Sequence, residues 1–352
     1  MRIPRTLEVF DEWDQLMRRR TLLTAGGTSA IGMLAPQLIT SPPLTMQPTA
    51  PEIFHLRAQL TDSYRQLDNL LGAAAVYQQT LDHHRQLVAW RRAVPAAERP
   101  RAAMLVADSG ALMGWLNTDL EQYAEAGNCY REAAQAAGDA GDASMYAYLI
   151  SRMSRVLSDC GLHRDALGFA NAANRAARRA HPVVRSWVAV TRAYVHACLK
   201  DEWSCRRDLD AAEQLLDTAT ADGQPPPACV NFFDAVHLRK WTGYSLMRLG
   251  TVRWTSAAQA ALDQTAAQWS GDFVRGSAEV STACATARIA QGEIEEAVRW
   301  TRRAYDVAAR TSSARNLRRV HEARARLAPH ARTRAVQELD EYLLTMAGSV
   351  TG

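Results

Sequence analysis

Apolar residues recur at three- and four-residue intervals along most of this chain, from Glu52 almost to its end. That spacing is typical of amphipathic α-helices, because it places the apolar side chains on one face. Gly or Pro clusters interrupt the pattern about every twenty residues, as expected for helices joined by short turns. Between positions 36 and 51 five prolines disfavour helix instead. The sequence therefore predicts an N-terminal extension with a Pro-rich linker at residues 1–51 and a helical domain at residues 52–348.

Four predicted turns recur at a nearly constant interval and fall at Gly161, Lys200, Gly250 and Gly292. The interval is about forty residues, close to that of helical-pair repeats, except where the insertion Asp222–Pro227 lengthens it. Twelve residues after each turn stands a small or apolar residue: Ala173, Ala212, Leu262 and Ala304. Tetratricopeptide repeats keep a small residue in their second helix, where paired helices approach closely. The pattern predicts an all-α fold, a tetratricopeptide-like α-solenoid in which about six helical hairpins stack into a right-handed superhelix.

The same register indicates where a ligand would bind. The first helices of such hairpins line the concave surface, and positions thirteen, nine and six before each turn share one helical face. Eight aromatic, Arg and His residues occupy these positions and are the candidate ligand-binding residues: Tyr148, Arg152, Arg155, Trp187, Tyr194, His237, Trp241 and Tyr244. These residue types are enriched at binding surfaces. The alternative is that the aromatic rings fill gaps between hairpins and the arginines are solvated.

Composition and charge narrow the classes of partner. Hydrophobic residues make up 47% and charged residues 22% of the chain, which are globular proportions, and a net charge of +4 is too small to indicate nucleic acid. Arginines cluster near the C-terminus, but no DNA-binding motif accompanies them, so we expect no sequence-specific nucleic-acid binding by this chain alone. The uncharged stretch at residues 24–35 is too short to span a bilayer, so we expect no membrane partner. A homodimer is left open.

No pattern for catalysis or metal binding stands out. The six cysteines are scattered through predicted helices and are interpreted as buried thiols, and Cys160 with His163 lacks the second ligand pair that zinc needs. Phosphate loops, zinc-protease motifs and nucleophile elbows do not occur. We therefore expect no cofactor and no metal, and favour a non-enzymatic protein. The alternative is a cryptic enzyme of a biosynthetic pathway, whose catalytic residues converge from distant helices of the solenoid scaffold.

The N-terminal extension permits two interpretations of localisation. Arg18–Leu23 followed by an uncharged stretch is similar to a twin-arginine export signal. The acidic residues before it, and the lack of a clear cleavage site, favour a cytoplasmic protein instead.

The segment Arg19–Leu23, the Pro-rich linker and the degenerate helical pairs that follow resemble the sensor portion of actinobacterial Cro/repressor-type helix-turn-helix transcriptional regulators. In that family an Arg-Arg-x-Leu-Leu-like segment often joins an N-terminal DNA-binding domain to a tetratricopeptide-like region. Some seventeen residues precede Arg18, fewer than a helix-turn-helix domain needs, so the resemblance implies the sensor region without that domain. Peptide-sensing regulators with similar repeats hold a short signal peptide in the concave groove. We therefore expect a cytoplasmic regulatory sensor whose groove captures a peptide or small molecule, or binds a protein partner.

Overall fold

The computed structural model describes Trp13 and residues 51–350, and the side chains up to Met346. The segment Arg18–Leu23 and four of the five linker prolines therefore lie outside the described residues, and the fifth, Pro51, is the first residue of α1. Between residues 51 and 350 the chain forms fourteen α-helices. They are α1 (Pro51–Leu71), α2 (Ala73–Ala93), α3 (Arg99–Asp119), α4 (Tyr123–Ala140), α5 (Ala143–Asp159), α6 (His163–Ala176), α7 (Pro182–Cys198), α8 (Glu202–Asp222), α9 (Ala235–Leu249), α10 (Val252–Gln268), α11 (Val274–Gln291), α12 (Ile294–Arg310), α13 (Ala314–Arg326) and α14 (Arg334–Val350).

The helices form seven consecutive hairpins, each an odd-numbered helix followed by an even-numbered one. This is one hairpin more than the sequence predicts. Each odd-numbered helix also packs against the odd-numbered helix of the next hairpin, so the hairpins stack side by side. No described hairpin covers its own apolar face, and burial against the neighbours supplies the core of the array.

The turns that define the predicted register are the turns within the hairpins. Gly161, Lys200, Gly250 and Gly292 all have positive φ, between 64° and 79°, and each follows the end of an odd-numbered helix. A residue in this left-handed conformation ends a helix and lets the last carbonyl groups find donors. The insertion after Asp222 adds a short 3-10 segment, Ala228–Val230, that packs over α5 and α7.

The array curves far enough to close on itself. Helix α1 packs against α11, and α3 packs against α13. The two carboxylates Asp68 and Asp119, from α1 and α3, meet Arg275 of α11 and Ser313 at the start of α13. The turn at Gly72 lies against the backbone of Thr311, where an added Cβ would come within 1.8 Å of the carbonyl oxygen. We call this junction of the first two hairpins with the last two the seam.

Closure changes the shape that the sequence predicts. An array with an open concave groove was expected, whereas the concave side forms the interior of a ring. The physical reason is complementary charge between helices about two hundred residues apart: acidic side chains on α1 and α3 face basic ones on α11 and α13. Helix α3, which lies next to the seam, is buried at fifteen of its positions.

Trp13 is buried against Phe169 and fills the space left open by Gly127. The six cysteines form no disulfide. Cys160 was expected to be buried, but it is partly exposed because it lies where α5 ends. Cys129 and Cys198 are partly exposed too. Among residues 51–350, no helix is both long and apolar enough to cross a membrane.

Candidate functional site

A cavity of about 170 Å³ lies inside the ring. Its lining side chains come from the odd-numbered helices of all seven hairpins, and from the segments that precede α9 and α11. This arrangement follows from the stacking, because odd-numbered helices occupy the concave side. Exposed residues of the lining, Ala228 and Asn231, mark where the cavity meets solvent.

One side of the cavity is aromatic. Six rings form what we call the aromatic wall: Trp187, Phe232, His237, Trp241, Trp269 and Phe273. The ring centroid of Trp187 lies 5.4 Å from that of Phe232 and 5.8 Å from that of Trp241, both edge to face. His237 similarly joins Phe232 to Trp269 and Phe273. The rings therefore support one another, and the wall has its shape without a ligand.

Local capping positions the histidine of this wall. Asp234 precedes α9, and its carboxylate accepts hydrogen bonds from the backbone N–H of His237 and from the ring Nδ1, both at 2.8 Å. Burial lowers the pKa of His237 below its ordinary value, although Asp234 opposes that shift. His237 is therefore a neutral ring at pH 7, with Nδ1 donating to Asp234.

Most of the remaining lining is ionic, and its cations Arg155 and Lys240 pack on rings of the aromatic wall, Arg155 on Trp241 and Lys240 on Trp241 and Trp269. Nine side chains form what we call the charged wall: Arg65, Asp68, Asp108, Arg152, Arg155, Lys240, Arg275, Glu279 and Arg315. At the seam, Arg275 donates to both carboxylate oxygens of Asp68, and its Nη1 lies 3.4 Å from Asp119. Arg275 is 2% exposed, so this pair is held in a low-dielectric interior where removal of one partner is costly.

Glu279 is the acidic centre of the charged wall. It accepts hydrogen bonds from Lys240 at 3.3 Å and from Arg319 at 2.6 Å, and Arg315 lies 3.8 Å away. Burial acts to raise the pKa of Glu279, but Lys240, Arg319, Arg315 and Arg155 together hold it well below its ordinary value. Glu279 is therefore ionised at neutral pH, and one carboxylate is shared among several cations.

Trp115 of α3 links the arginines of the charged wall. The guanidinium carbons of Arg152, Arg275 and Arg315 all lie between 4.6 and 4.8 Å from the centroid of its ring. The indole N–H donates to Asp68 at 3.0 Å, which fixes the plane of the ring. Cations are attracted to aromatic faces, and the attraction is larger where water is excluded.

The structure brings six of the eight predicted site residues to the cavity. Tyr148, Arg152, Arg155, Trp187, His237 and Trp241 belong to its lining. All four residues that stand thirteen positions before a turn line the cavity: Tyr148, Trp187, His237 and Glu279. Tyr194 and Tyr244 are outside the lining: Tyr194 packs against Trp241 and accepts a hydrogen bond from Arg248, and Tyr244 packs beside Trp241. For these two residues the alternative interpretation, filling between hairpins, describes their position.

Sequence reasoning missed the contribution of α1, α3, α11 and α13. Asp68 offered a signal, since it shares a seven-residue spacing with Phe54 and Thr61, the other two buried positions of α1. A carboxylate on a buried face needs a cation nearby. The identity of that cation, Arg275, follows only from closure of the ring.

Each carboxylate of the charged wall lies beside a cation: Asp68 beside Arg275, Asp108 beside Arg65, and Glu279 beside Arg319. Burial nevertheless raises the pKa of Asp68 and of Asp108 above the ordinary value, although these arginines oppose the shift. Burial raises the pKa of the one lining thiol, that of Cys229, to about 12, so this thiol is protonated and a poor nucleophile. A lining that combines aromatic rings with guanidinium groups suits a molecule with an apolar part and a polar part.

Comparison with known proteins supports the architecture. No protein-family model matches the chain, and no curated protein matches it. The crystal structure of Rap protein complexed with competence and sporulation factor is similar, with a TM-score of 0.56 and 10% sequence identity over 87% of this chain and 89% of that one. The likeness confirms the all-α, tetratricopeptide-like solenoid that the sequence predicts. At this level of identity the likeness concerns the fold alone.

Proposed function

We propose that this protein is a regulatory sensor that binds a peptide or small molecule in the cavity inside its ring. One observation carries the proposal: side chains from all seven hairpins converge on a single cavity whose two walls have opposite chemistry. A site preformed in this way avoids the entropic cost of ordering side chains when the ligand binds. The fold is shared with a Rap protein solved in complex with competence and sporulation factor, which supports a binding role for a protein of this fold.

The ring suits a sensor because an occupant touches every hairpin. Each hairpin contacts its neighbours, the first hairpin contacts the sixth and the second contacts the seventh, so a ligand that favours one arrangement of the hairpins shifts the whole array. We infer a cytoplasmic setting and an origin among sensor regions of helix-turn-helix regulators from Arg19–Leu23, the linker and the repeats that follow.

A matched pair of variants tests the cavity. Ala228 and Ala96 are both exposed, and each is the first residue of a 3-10 segment that follows a proline, but only Ala228 lies at the cavity. Ala228→Trp should obstruct the cavity, whereas Ala96→Trp should not. The probe is N-phenyl-1-naphthylamine, a neutral apolar dye whose fluorescence rises in apolar surroundings.

We expect saturable dye binding by the wild type and by Ala96→Trp, and at least tenfold weaker binding by Ala228→Trp. Native mass spectrometry of the freshly purified chain would identify a retained natural ligand. Equal dye binding by the two variants, or no saturation in the wild type, would contradict the proposed function.

A further inference from the structure

The buried charges around the cavity do not balance. Seven cations belong to the charged wall and its immediate ion pairs: Arg65, Arg152, Arg155, Lys240, Arg275, Arg315 and Arg319. Five carboxylates that are largely buried face them: Asp68, Asp108, Asp119, Asp159 and Glu279. Two more positive than negative charges therefore lie in a region largely removed from water, where an uncompensated charge is costly.

The shortage of negative charge is not spread evenly. Arg275 has Asp68 and Asp119, and Arg65 has Asp108 at 2.7 Å. Around Glu279, by contrast, two carboxylates serve four cations: Glu279 faces Lys240, Arg315 and Arg319, and Asp159 faces Arg155 at 3.0 Å and Arg319. Arg152 has no carboxylate partner among the described residues, and its Nε and Nη2 both donate to the hydroxyl of a tyrosine, Tyr130, at 3.2 and 3.0 Å.

Unused hydrogen-bond donors lie in the same part of the lining. In the described part of the chain, Nη1 of Arg155 and Nε of Arg315 are buried without a hydrogen-bond partner. Both ion pairs of Arg315, with Asp119 at 3.7 Å and with Glu279 at 3.8 Å, are longer than hydrogen bonds. Burial and the neighbouring Arg319 lower the pKa of Arg315, which agrees with a cation that its surroundings do not fully neutralise.

We propose that Arg152 and Arg315, which stack on Trp115, and Arg155, which stacks on Trp241, form a subsite for an oxyanion, and that the ligand joins a carboxylate or phosphate to an aromatic or apolar body. This inference rests on the proposed function, because it names the chemistry of the occupant. Guanidinium groups offer paired donors that match the oxygens of both anions. The aromatic wall then receives the rest of the molecule.

Displacement of N-phenyl-1-naphthylamine by three probes tests the charge preference. The probes share a phenyl group and differ in their head group: 3-phenylpropionate, phenyl phosphate and the neutral 3-phenylpropionamide. We expect at least one anionic probe to bind tenfold or more tightly than the amide. The head group with the higher affinity distinguishes a carboxylate from a phosphate ligand.

Substitution of the cations locates the effect. In Arg152→Met and in Arg315→Met the preference for the anion should fall at least tenfold, while affinity for the amide stays within about twofold. Arg334→Met is the control, because Arg334 is 91% exposed and remote from the cavity lining. The control should keep the full preference.

The outcomes separate the two proposals. If the amide displaces the dye as well as the anions do, or if the preference survives both Met variants, the oxyanion subsite is wrong and the cavity still binds ligands. If no dye or probe binds with saturation, the proposed function and the subsite both fail.

Thermal unfolding without ligand tests the subsite even if a Met variant folds poorly. An arginine kept for an absent anion should contribute little to stability, because its charge is incompletely compensated. The thermal midpoint of Arg315→Met should therefore equal or exceed that of the wild type, whereas Arg275→Met, whose arginine is paired with Asp68, should melt several degrees lower. Equal losses in both variants would mean that Arg315 is a structural ion-pair partner, and would overturn the subsite.

Discussion

The aromatic wall and the charged wall of the cavity are assembled over different distances along the chain. Rings of the aromatic wall come from neighbouring hairpins, and Trp187 of α7 touches Trp241 of α9, the odd-numbered helix of the next hairpin. The charged wall depends on Asp68 and Arg275, which are 207 residues apart. The first wall needs only correct stacking of adjacent repeats, as do the pairs of Arg65 with Asp108 and of Lys240 with Glu279, whereas the part of the charged wall at Asp68 and Arg275 forms only when the array has closed. Local repetition and long-range closure therefore contribute separate parts of the same site.

The largest effect should come from breaking the charged wall at the seam. Arg275→Met leaves Asp68 buried without its bidentate partner, and should lower the free energy of unfolding by about 3–5 kcal/mol. Replacing both residues, in Arg275→Met with Asp68→Leu, should restore most of the loss because no unmatched charge at Asp68 remains. Urea unfolding followed by circular dichroism measures both. A double variant as unstable as the single one would show that the pair is not the source of the loss.

Closure of the array can also be disturbed by a substitution that changes no charged residue. Gly72 has φ 91° and ψ 165°, a conformation that costs other residues about 1–3 kcal/mol, and Gly72→Ala would in addition collide with the carbonyl of Thr311. Gly141→Ala is the matched control, because Gly141 has positive φ but nothing within 4 Å of an added Cβ. Gly72→Ala should be the less stable in urea unfolding. Equal stability would mean that the turn does not press against the last hairpins.

The aromatic wall should respond more weakly and more locally. Trp187→Phe keeps a ring but removes the hydrogen bond from the indole N–H to Ser151 at 2.8 Å, so we expect a loss of about 1 kcal/mol. Hydrogen exchange should stay unchanged in α1 and α13, far along the ring, whereas Arg275→Met should accelerate exchange in both. Faster exchange at the seam in Trp187→Phe would show that the two walls are coupled.

Lowering the pH should reduce the stability that His237 and Glu279 contribute to the fold, each in its own pH range. We expect these changes to be smaller than those of the substitutions above. Burial lowers the pKa of His237 below its ordinary 6.5. As the pH falls from 6.5, this histidine is therefore protonated in the unfolded chain before it is protonated in the folded one, and the free energy of unfolding decreases. Burial acts to raise the pKa of Glu279, but its cations hold it well below the ordinary 4.5, so its stabilisation is present above pH 4.5 and lost below.

Two variants assign these ranges. His237→Gln should flatten the pH dependence of unfolding below 6.5, although other histidines such as His84, whose pKa burial lowers to about 4, retain part of the slope. Glu279→Gln should flatten only the range below pH 4.5. The assignment is wrong if either substitution alters the other range instead.

The difference between the walls also explains how much the sequence could predict. Regular spacing of turns at Gly161, Lys200, Gly250 and Gly292 determines which helical face points inward, so six of the eight predicted residues lie at the cavity. Closure has no comparable periodic signal, because it depends on curvature summed over seven hairpins. The partners of Asp68 therefore could not be identified from the pattern, although its buried position could.

Tyr194 and Tyr244 show where the register loses precision. Both stand six residues before a turn, as Arg155 does, but a tyrosine there reaches neighbouring side chains and stays in the interior. Arg155 has a longer side chain, which stacks on Tyr194 with its guanidinium carbon 4.2 Å from the ring centroid and still reaches the cavity. Side-chain length, as well as helical position, decides which residues an enclosed molecule would meet.

The seam described above has a consequence for kinetics. A bound molecule can exchange through the mouth near Asn231, or through a transient parting of α1 from α11 at the seam. The second route breaks the buried contacts of Asp68 and Arg275, and its rate is then set by the lifetime of that ion pair. Residence time and resistance to unfolding would in that case rise and fall together across variants of the same few residues.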